Sequence, residues 1–250
     1  MTRFRRAARR LVLAGLMALV PIAAAAEEVD LELVLLADAS GSIDDAEIRF
    51  QRAGYAEAMR DPAVLSAIRD GGLLGKIAVT YVEWASATSQ QVVVDWMIIE
   101  DAASAATFGE RLMEPPRLTV GSNAIGAALV KGLELIESND YEGLRRVVDL
   151  SADSAWNPYP PTIREARDRL VGAGVTVNGL AILCTTCSGR PRRGDLEAAF
   201  REHLIGGPGA FVVTADGPEN FVRGVRRKLV LEIADAARPP ESSDTSDRDG

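Results

Sequence analysis

Apolar runs of five to nine residues recur along this chain, each followed by an amphipathic stretch. That alternation predicts βα units wound around a mainly parallel sheet. Strands are expected at 31–37, 76–84, 91–98, 146–150, 175–183 and 210–214, and helices at 45–60, 102–113, 124–137, 162–173, 194–203 and 218–234. The first run is apolar almost throughout, so both of its faces should be covered. Only residues 85–90 separate the second and third strands. A helical crossover needs more chain than that, so these two should pair as an antiparallel hairpin. The expected fold is therefore α/β: a six-stranded, mostly parallel sheet with one antiparallel edge strand and helices on both faces.

The N-terminus departs from this pattern. Five arginines, Arg3, Arg5, Arg6, Arg9 and Arg10, precede the apolar run 11–22, which closes on the four alanines 23–26. This order predicts a secretory signal peptide cleaved after Ala26, and the run is shorter than the roughly 20 residues of a membrane span. The Arg9-Arg10 pair faintly resembles a twin-arginine signal, but its flanks fit poorly and the general secretory route is preferred. The expected protein is thus periplasmic or secreted, with no membrane insertion once the signal is removed. Residues 27–234 suit one domain, and 235–250, rich in Asp, Ser and Arg, should be a disordered acidic tail. Losing residues 1–26 would remove five of the 28 Lys and Arg and none of the 36 Asp and Glu, taking the formal net charge from −8 to −13. So acidic a surface repels nucleic acid and anionic lipid and leaves cations as the favoured small partners. Cys184 and Cys187 form a lone Cys-x-x-Cys, and with His203 as the only histidine they cannot complete a four-ligand zinc site. In an oxidising compartment they are expected to close a small disulfide, with a thioredoxin-like redox role as a weaker alternative.

The candidate chemistry lies where the first strand ends. Asp38, Ser40 and Ser42 follow the apolar run at spacings of two, with Gly41 allowing a tight turn. One carboxylate and two hydroxyls can serve either as caps for the next helix or as oxygen ligands for a hard cation. A cation would need further oxygens, and in an open parallel sheet these come from other loops at the carboxyl edge. Two segments should arrive there. One is the small polar loop 119–126 containing Ser122; the other is the run 147–150, followed by Asp153 and Ser154.

Asp38-x-Ser40-x-Ser42, a loop hydroxyl at Ser122 and a later Asp153 together resemble the metal-ion-dependent adhesion site (MIDAS) of von Willebrand factor type A (VWA) domains. Segments 51–56, 82–84, 145–153, 177–182, 206–213 and 227–233 extend the resemblance to a bacterial family of secreted VWA-like proteins of unknown function. The resemblance implies a Rossmann-like sheet with a reversed edge. It implies that Ser40 and Ser42 bind the metal directly, that Ser122 stands where the family usually has Thr, and that Asp38 and Asp153 act directly or through water. It further implies Mg²⁺, with Mn²⁺ or Ca²⁺ as alternatives, and a protein partner whose acidic side chain completes the shell. Two positions depart from the pattern: Ser122 lacks the methyl of Thr, and Ser154 follows Asp153 where Gly is usual.

The neighbouring polar residues have plainer readings. Asp149, in mid-strand, suits a structural hydrogen bond better than ligation, and Glu83 could support the metal ligands from behind. Asp44 and Asp45 suit capping, Trp84 and Trp96 suit packing, and His203 suits a surface or packing position. No Gly-x-Ser-x-Gly elbow, phosphate loop or dinucleotide glycine fingerprint is present. A metal-dependent phosphohydrolase of the Asp-x-Asp type is the catalytic alternative, but Ser40 occupies its second acid. A binding module rather than an enzyme is expected, and a structural protein with a degenerate, metal-free site is the other alternative.

Overall fold

The computed structural model describes residues 26–183 and 195–234. The expected signal sequence to Ala25, the Cys184/Cys187 motif and the expected tail lie outside the described residues. Six strands form one sheet: β1 (Glu27–Asp38), β2 (Ile77–Ser86), β3 (Ser89–Ile99), β4 (Tyr141–Ala152), β5 (Thr176–Ile182) and β6 (Val212–Ala215). Their order across the sheet is β3-β2-β1-β4-β5-β6, with β2 and β3 antiparallel and every other neighbour parallel. The reversed edge strand and its hairpin agree with the expectation from the short 85–90 connection.

The helices are α1 (Asp45–Met59), α2 (Pro62–Asp70), α3 (Ala102–Met113), α4 (Ile125–Glu137), α5 (Ile163–Gly172), α6 (Leu196–Ala199) and α7 (Pro218–Ala234). A π-helical turn, Phe200–Leu204, prolongs α6. The helix α2 was not anticipated. Its start is encoded locally, because Asp61 accepts a hydrogen bond from the Ala63 N–H at 2.8 Å and Pro62 occupies the first helical turn. Helix α1 begins with a capping box in which Asp44 accepts from the N–H groups of Ala46 and Glu47 while its own N–H donates to Glu47. The strands β1 and β4 begin earlier than expected, since their first residues are polar but still pair with each other.

Alternation along β1 divides the core in two. Leu31, Leu33, Leu35 and Ala37 pack with α1, α2, α3 and α7, and Val34 and Leu36 pack with α4 and α5 on the other face. On the first face Tyr55 stacks edge-on against Tyr81 at 5.2 Å and against Phe221 at 6.0 Å, joining α1, β2 and α7. Two acids in β1 are buried because backbone and side-chain N–H donors meet them. Asp30 accepts from the N–H groups of Leu73, Leu74 and Lys76, and Glu32 from the Gly143 N–H and the Asn139 amide.

Candidate metal centre

Asp38 is the last residue of β1, with no exposed surface, and the chain turns immediately beyond it. The Ala39 N–H bonds to the Trp84 carbonyl, the Gly41 N–H to the Gly121 carbonyl and the Ile43 N–H to the Ser40 carbonyl, each at 2.8–2.9 Å. These bonds fix the turn to the end of β2 and to the loop before α4. Asp38 Oδ1 accepts the Ser40 N–H at 2.8 Å, and the hydroxyls of Ser40 and Ser42 stand 3.2 Å apart. From the end of β4 comes Asp153, which accepts from the Ser42 hydroxyl and whose charge acts on Asp38. The structure thus brings Asp38, Ser40, Ser42 and Asp153 together.

The electrostatics of this group are unfavourable as it stands. Burial, and then the charge of Asp153, push the Asp38 carboxyl up to about 7, against the opposing N–H groups of Ser40 and Asp153. Asp153 is also raised by burial, the Ser42 hydroxyl opposing the shift. Asp38 Oδ2 is buried and accepts no hydrogen bond of ordinary geometry. A bare acceptor beside a second carboxylate and two hydroxyls suits a hard cation, which would cancel the repulsion and occupy the unused lone pairs. Among the described residues no group of three or more His, Cys, Asp or Glu could hold a metal. The candidate therefore depends on hydroxyl ligands.

Ser122 is exposed and follows Gly121, whose carbonyl receives the Gly41 N–H, so it lies beside the turn. Gly121 has φ +123°, and a Cβ there would come within 2.8 Å of the Ser86 Cβ. Ser154, one of the two departures from the VWA pattern, accepts the Asn123 amide at 2.5 Å and so ties the β4 loop to the loop of Ser122. Asn157 extends this tie: it accepts from the Gly126 N–H at 3.0 Å and donates to the carbonyls of Tyr159 and Pro161. A Cβ on Gly126 would sit 2.1 Å from the Pro161 oxygen. Gly126→Ala is therefore expected to push this loop off α4 and cost about 1–3 kcal/mol in urea unfolding, as overpacking does. Unchanged stability would contradict this packing.

Among the residues that position the turn, Arg117 carries no signal in the sequence, Gln51 and Arg52 enter only within the 51–56 segment, and Glu83 is the candidate supporting acid. Arg117 donates to the Ala39 carbonyl at 2.8 Å, to the Thr119 carbonyl at 3.3 Å and to Asp45 at 3.0 Å, clamping the turn, the loop and α1. Gln51 donates to the Asp38 carbonyl at 3.2 Å. Glu83 gives both oxygens to Arg52, at 2.6 and 2.9 Å, and the same guanidinium donates to the Pro115 carbonyl. Glu83 thus reaches the edge through a buried ion pair rather than through the ligands. Asp149 is not brought to the centre, because its register with Leu35 turns it to the α7 face, where it meets Lys228. His203 lies on the surface and accepts from Arg164.

A parallel sheet with one reversed edge strand, an Asp-x-Ser-x-Ser turn at the end of its central strand and an aspartate arriving from the next strand define a VWA-like domain. The chain belongs to the family of proteins of unknown function DUF1194, which it matches over residues 28–237. No curated protein matches it. Among solved structures it is similar to proximal thread matrix protein 1 from the mussel byssus, with 16% identity, TM-score 0.56 and coverage of 83% of this chain and 47% of that one. It is similar to the pilus adhesin SpaC from Lactobacillus rhamnosus GG, with 12% identity, TM-score 0.57 and coverage of 84% and 31%. A third is a von Willebrand factor type A protein from Catenulispora acidiphila, with 16% identity, TM-score 0.54 and coverage of 84% and 43%. The chain spans less than half the length of each of these structures. Another structure of the mussel protein, 15% identical with TM-score 0.56, has a zinc-occupied MIDAS motif.

Proposed function

We propose that this chain is an exported, non-catalytic binding module. In this reading Asp38, Ser40, Ser42, Ser122 and Asp153 hold Mg²⁺, and a partner protein supplies a carboxylate that completes the shell. The unpartnered, buried Asp38 Oδ2 carries the reading, because a carboxylate kept from water beside another carboxylate lacks its compensating charge. Three hydroxyls and two carboxylates offer five oxygens to an ion that takes about six, and a partner carboxylate in place of water would fill the remaining position.

The surface around the centre supports a protein partner. Leu118 and Val120 on one bordering loop, and Trp156 and Tyr159 on the other, are large apolar side chains left exposed. Exposed aromatic and aliphatic side chains grouped on one edge mark interaction surfaces. The Asn157 and Arg117 clamps hold both loops in place, so little ordering cost remains for binding. The adhesin and matrix-protein neighbours lend the same reading support. Export rests on the arginine-rich, apolar N-terminus; no helix among the described residues is long and apolar enough to cross a membrane.

Calorimetric titration with Mg²⁺, Mn²⁺ and Ca²⁺ tests the metal, and co-purification with and without chelator tests the partner. Saturable binding is expected for the wild type, and binding weakened about tenfold or more for Ser42→Ala, which removes one ligand oxygen. Trp156→Ser is expected to keep the metal isotherm and lose the partner. A wild type that binds none of the three ions would sink the proposal.

A further inference from the structure

A second group of ionisable side chains lies inside the core, between α7 and strands β4 and β5, away from the metal edge. Lys228 and Glu232 come from α7, Asp149 from β4 and Asn178 from β5, and none is more than 2% exposed. The Lys228 ammonium nitrogen touches Asp149 Oδ1 and bonds to Glu232 Oε1 at 2.5 Å. Asn178 donates to that same Glu232 oxygen at 3.1 Å and accepts the Phe211 N–H. The Phe211 ring lies 5.7 Å from Lys228 Nζ, and the phenol of Tyr55 stands close enough to feel the charge of Asp149. Glu232 Oε2 is buried without a hydrogen-bond partner.

As a plain ion pair this arrangement is poorly balanced. Two carboxylates face one ammonium where water is excluded, while Arg145 donates to the backbone carbonyls of Glu232 and Ile233 at the end of the same helix. Burial and then the charge of Glu232 push the Asp149 carboxyl up to about 7 despite Lys228, so it can hold a proton near neutral pH. The pocket then holds a protonated carboxylic acid, an amine against it and a carboxylate base bonded to that amine. These are the components of amide formation, held at a fixed approach that replaces a bimolecular encounter.

The geometry points to an intramolecular isopeptide bond between Lys228 Nζ and Asp149 Cγ, formed with Glu232 as the proton carrier. Lys228 gives one proton to the Glu232 carboxylate and attacks Asp149 Cγ as the free amine. The tetrahedral adduct loses a second proton from nitrogen, which joins the departing Asp149 hydroxyl, and one water leaves. Lys–NH₃⁺, Asp–COOH and Glu–COO⁻ become an amide, water and Glu–COOH, so atoms and charge balance without any oxidant or cofactor. Exclusion of water from the pocket keeps the amide from hydrolysing. The bond would fasten α7 to the middle of the sheet, and, like a disulfide, it would restrict the unfolded chain while being immune to reductant.

The test is the intact mass of the full chain, purified folded and then reduced and denatured. The expected mass is lower by one water, about 18 Da, than that of the polypeptide with its observed N-terminus, as a covalent condensation requires. Digestion is expected to give one branched peptide joining the segments of Lys228 and Asp149. Lys228→Arg, which keeps the charge but lacks the amine, and Glu232→Gln, which keeps the shape but cannot carry the proton, should both show the full mass. A folded wild type of full mass overturns the inference whatever the variants do. So does a deficit that persists in Lys228→Arg, since the water would then have left elsewhere.

Discussion

Asp38→Asn is expected to abolish divalent-cation binding and yet, in chelator at pH 8, to make the protein more stable than wild type. The substitution keeps the shape of the side chain and removes its charge. In the metal-free wild type the folded-state carboxyl is raised from 3.8 to about 7, chiefly by burial and then by Asp153. A folded state that holds its proton more tightly than the unfolded chain is favoured at low pH. Its advantage is fully present below about pH 4 and is lost as pH rises through about 7. A shift of about three units corresponds to roughly 4 kcal/mol, an order-of-magnitude figure for the whole change. Urea unfolding in chelator should therefore show the wild type losing stability between pH 4 and pH 8, and the variant losing much less. The difference between the two proteins cancels the groups that do not interact with Asp38, Asp149 included, and leaves Asp38 together with the Asp153 charge it feels. Adding Mg²⁺ at pH 8 should restore the wild type and leave the variant unmoved, because only the wild type has the full charge to bind it. Equal pH slopes in chelator would show that burial does not strain Asp38, and equal gains from Mg²⁺ would show that it is not a ligand.

The sequence carries most of the frame and the inner half of the centre for one physical reason: both are local. A strand buried on both faces is apolar over most of its covered length, which makes the later part of β1 and the 147–150 run of β4 visible, and the turn after β1 must follow at once, which makes Asp38, Ser40 and Ser42 visible. Connection length exposes the reversed edge in the same way. The helix α2 is a different case. Its signals, Asp61 followed by Pro62 and then Val64 and Ile68, lie directly behind the end of α1 and occupy only nine residues. The clamps around the centre are not legible at all, because Arg117 and Asn157 work largely on backbone carbonyls and an N–H, which carry no residue identity. Asp149 illustrates the same limit. Its place in mid-strand marks it as needing a partner, but Lys228 sits on the last helix, and only the register of β4 against β1 decides which face of the sheet it meets.

Arg52→Met is expected to be the most damaging single change near the centre, because it strands a buried charge. Glu83 has no exposed surface, and both of its oxygens depend on the Arg52 guanidinium. Removing one partner of a buried pair leaves the other without solvent or counter-charge, a loss of about 3–5 kcal/mol. The effect should also reach the site, since Arg52 holds the Pro115 carbonyl and Pro115 precedes the segment of Arg117, Gly121 and Ser122. Weaker Mg²⁺ binding is therefore expected alongside the lost stability. The double variant Arg52→Met, Glu83→Leu separates the two effects. With both charges gone the desolvation cost disappears, so unfolding in urea should recover most of the stability. The Pro115 carbonyl stays without its donor, so metal affinity should recover less. A double variant no more stable than Arg52→Met would show that packing, not the unpaired carboxylate, sets the cost. Full recovery of Mg²⁺ affinity would show that the Pro115 bond does not position the loop of Ser122.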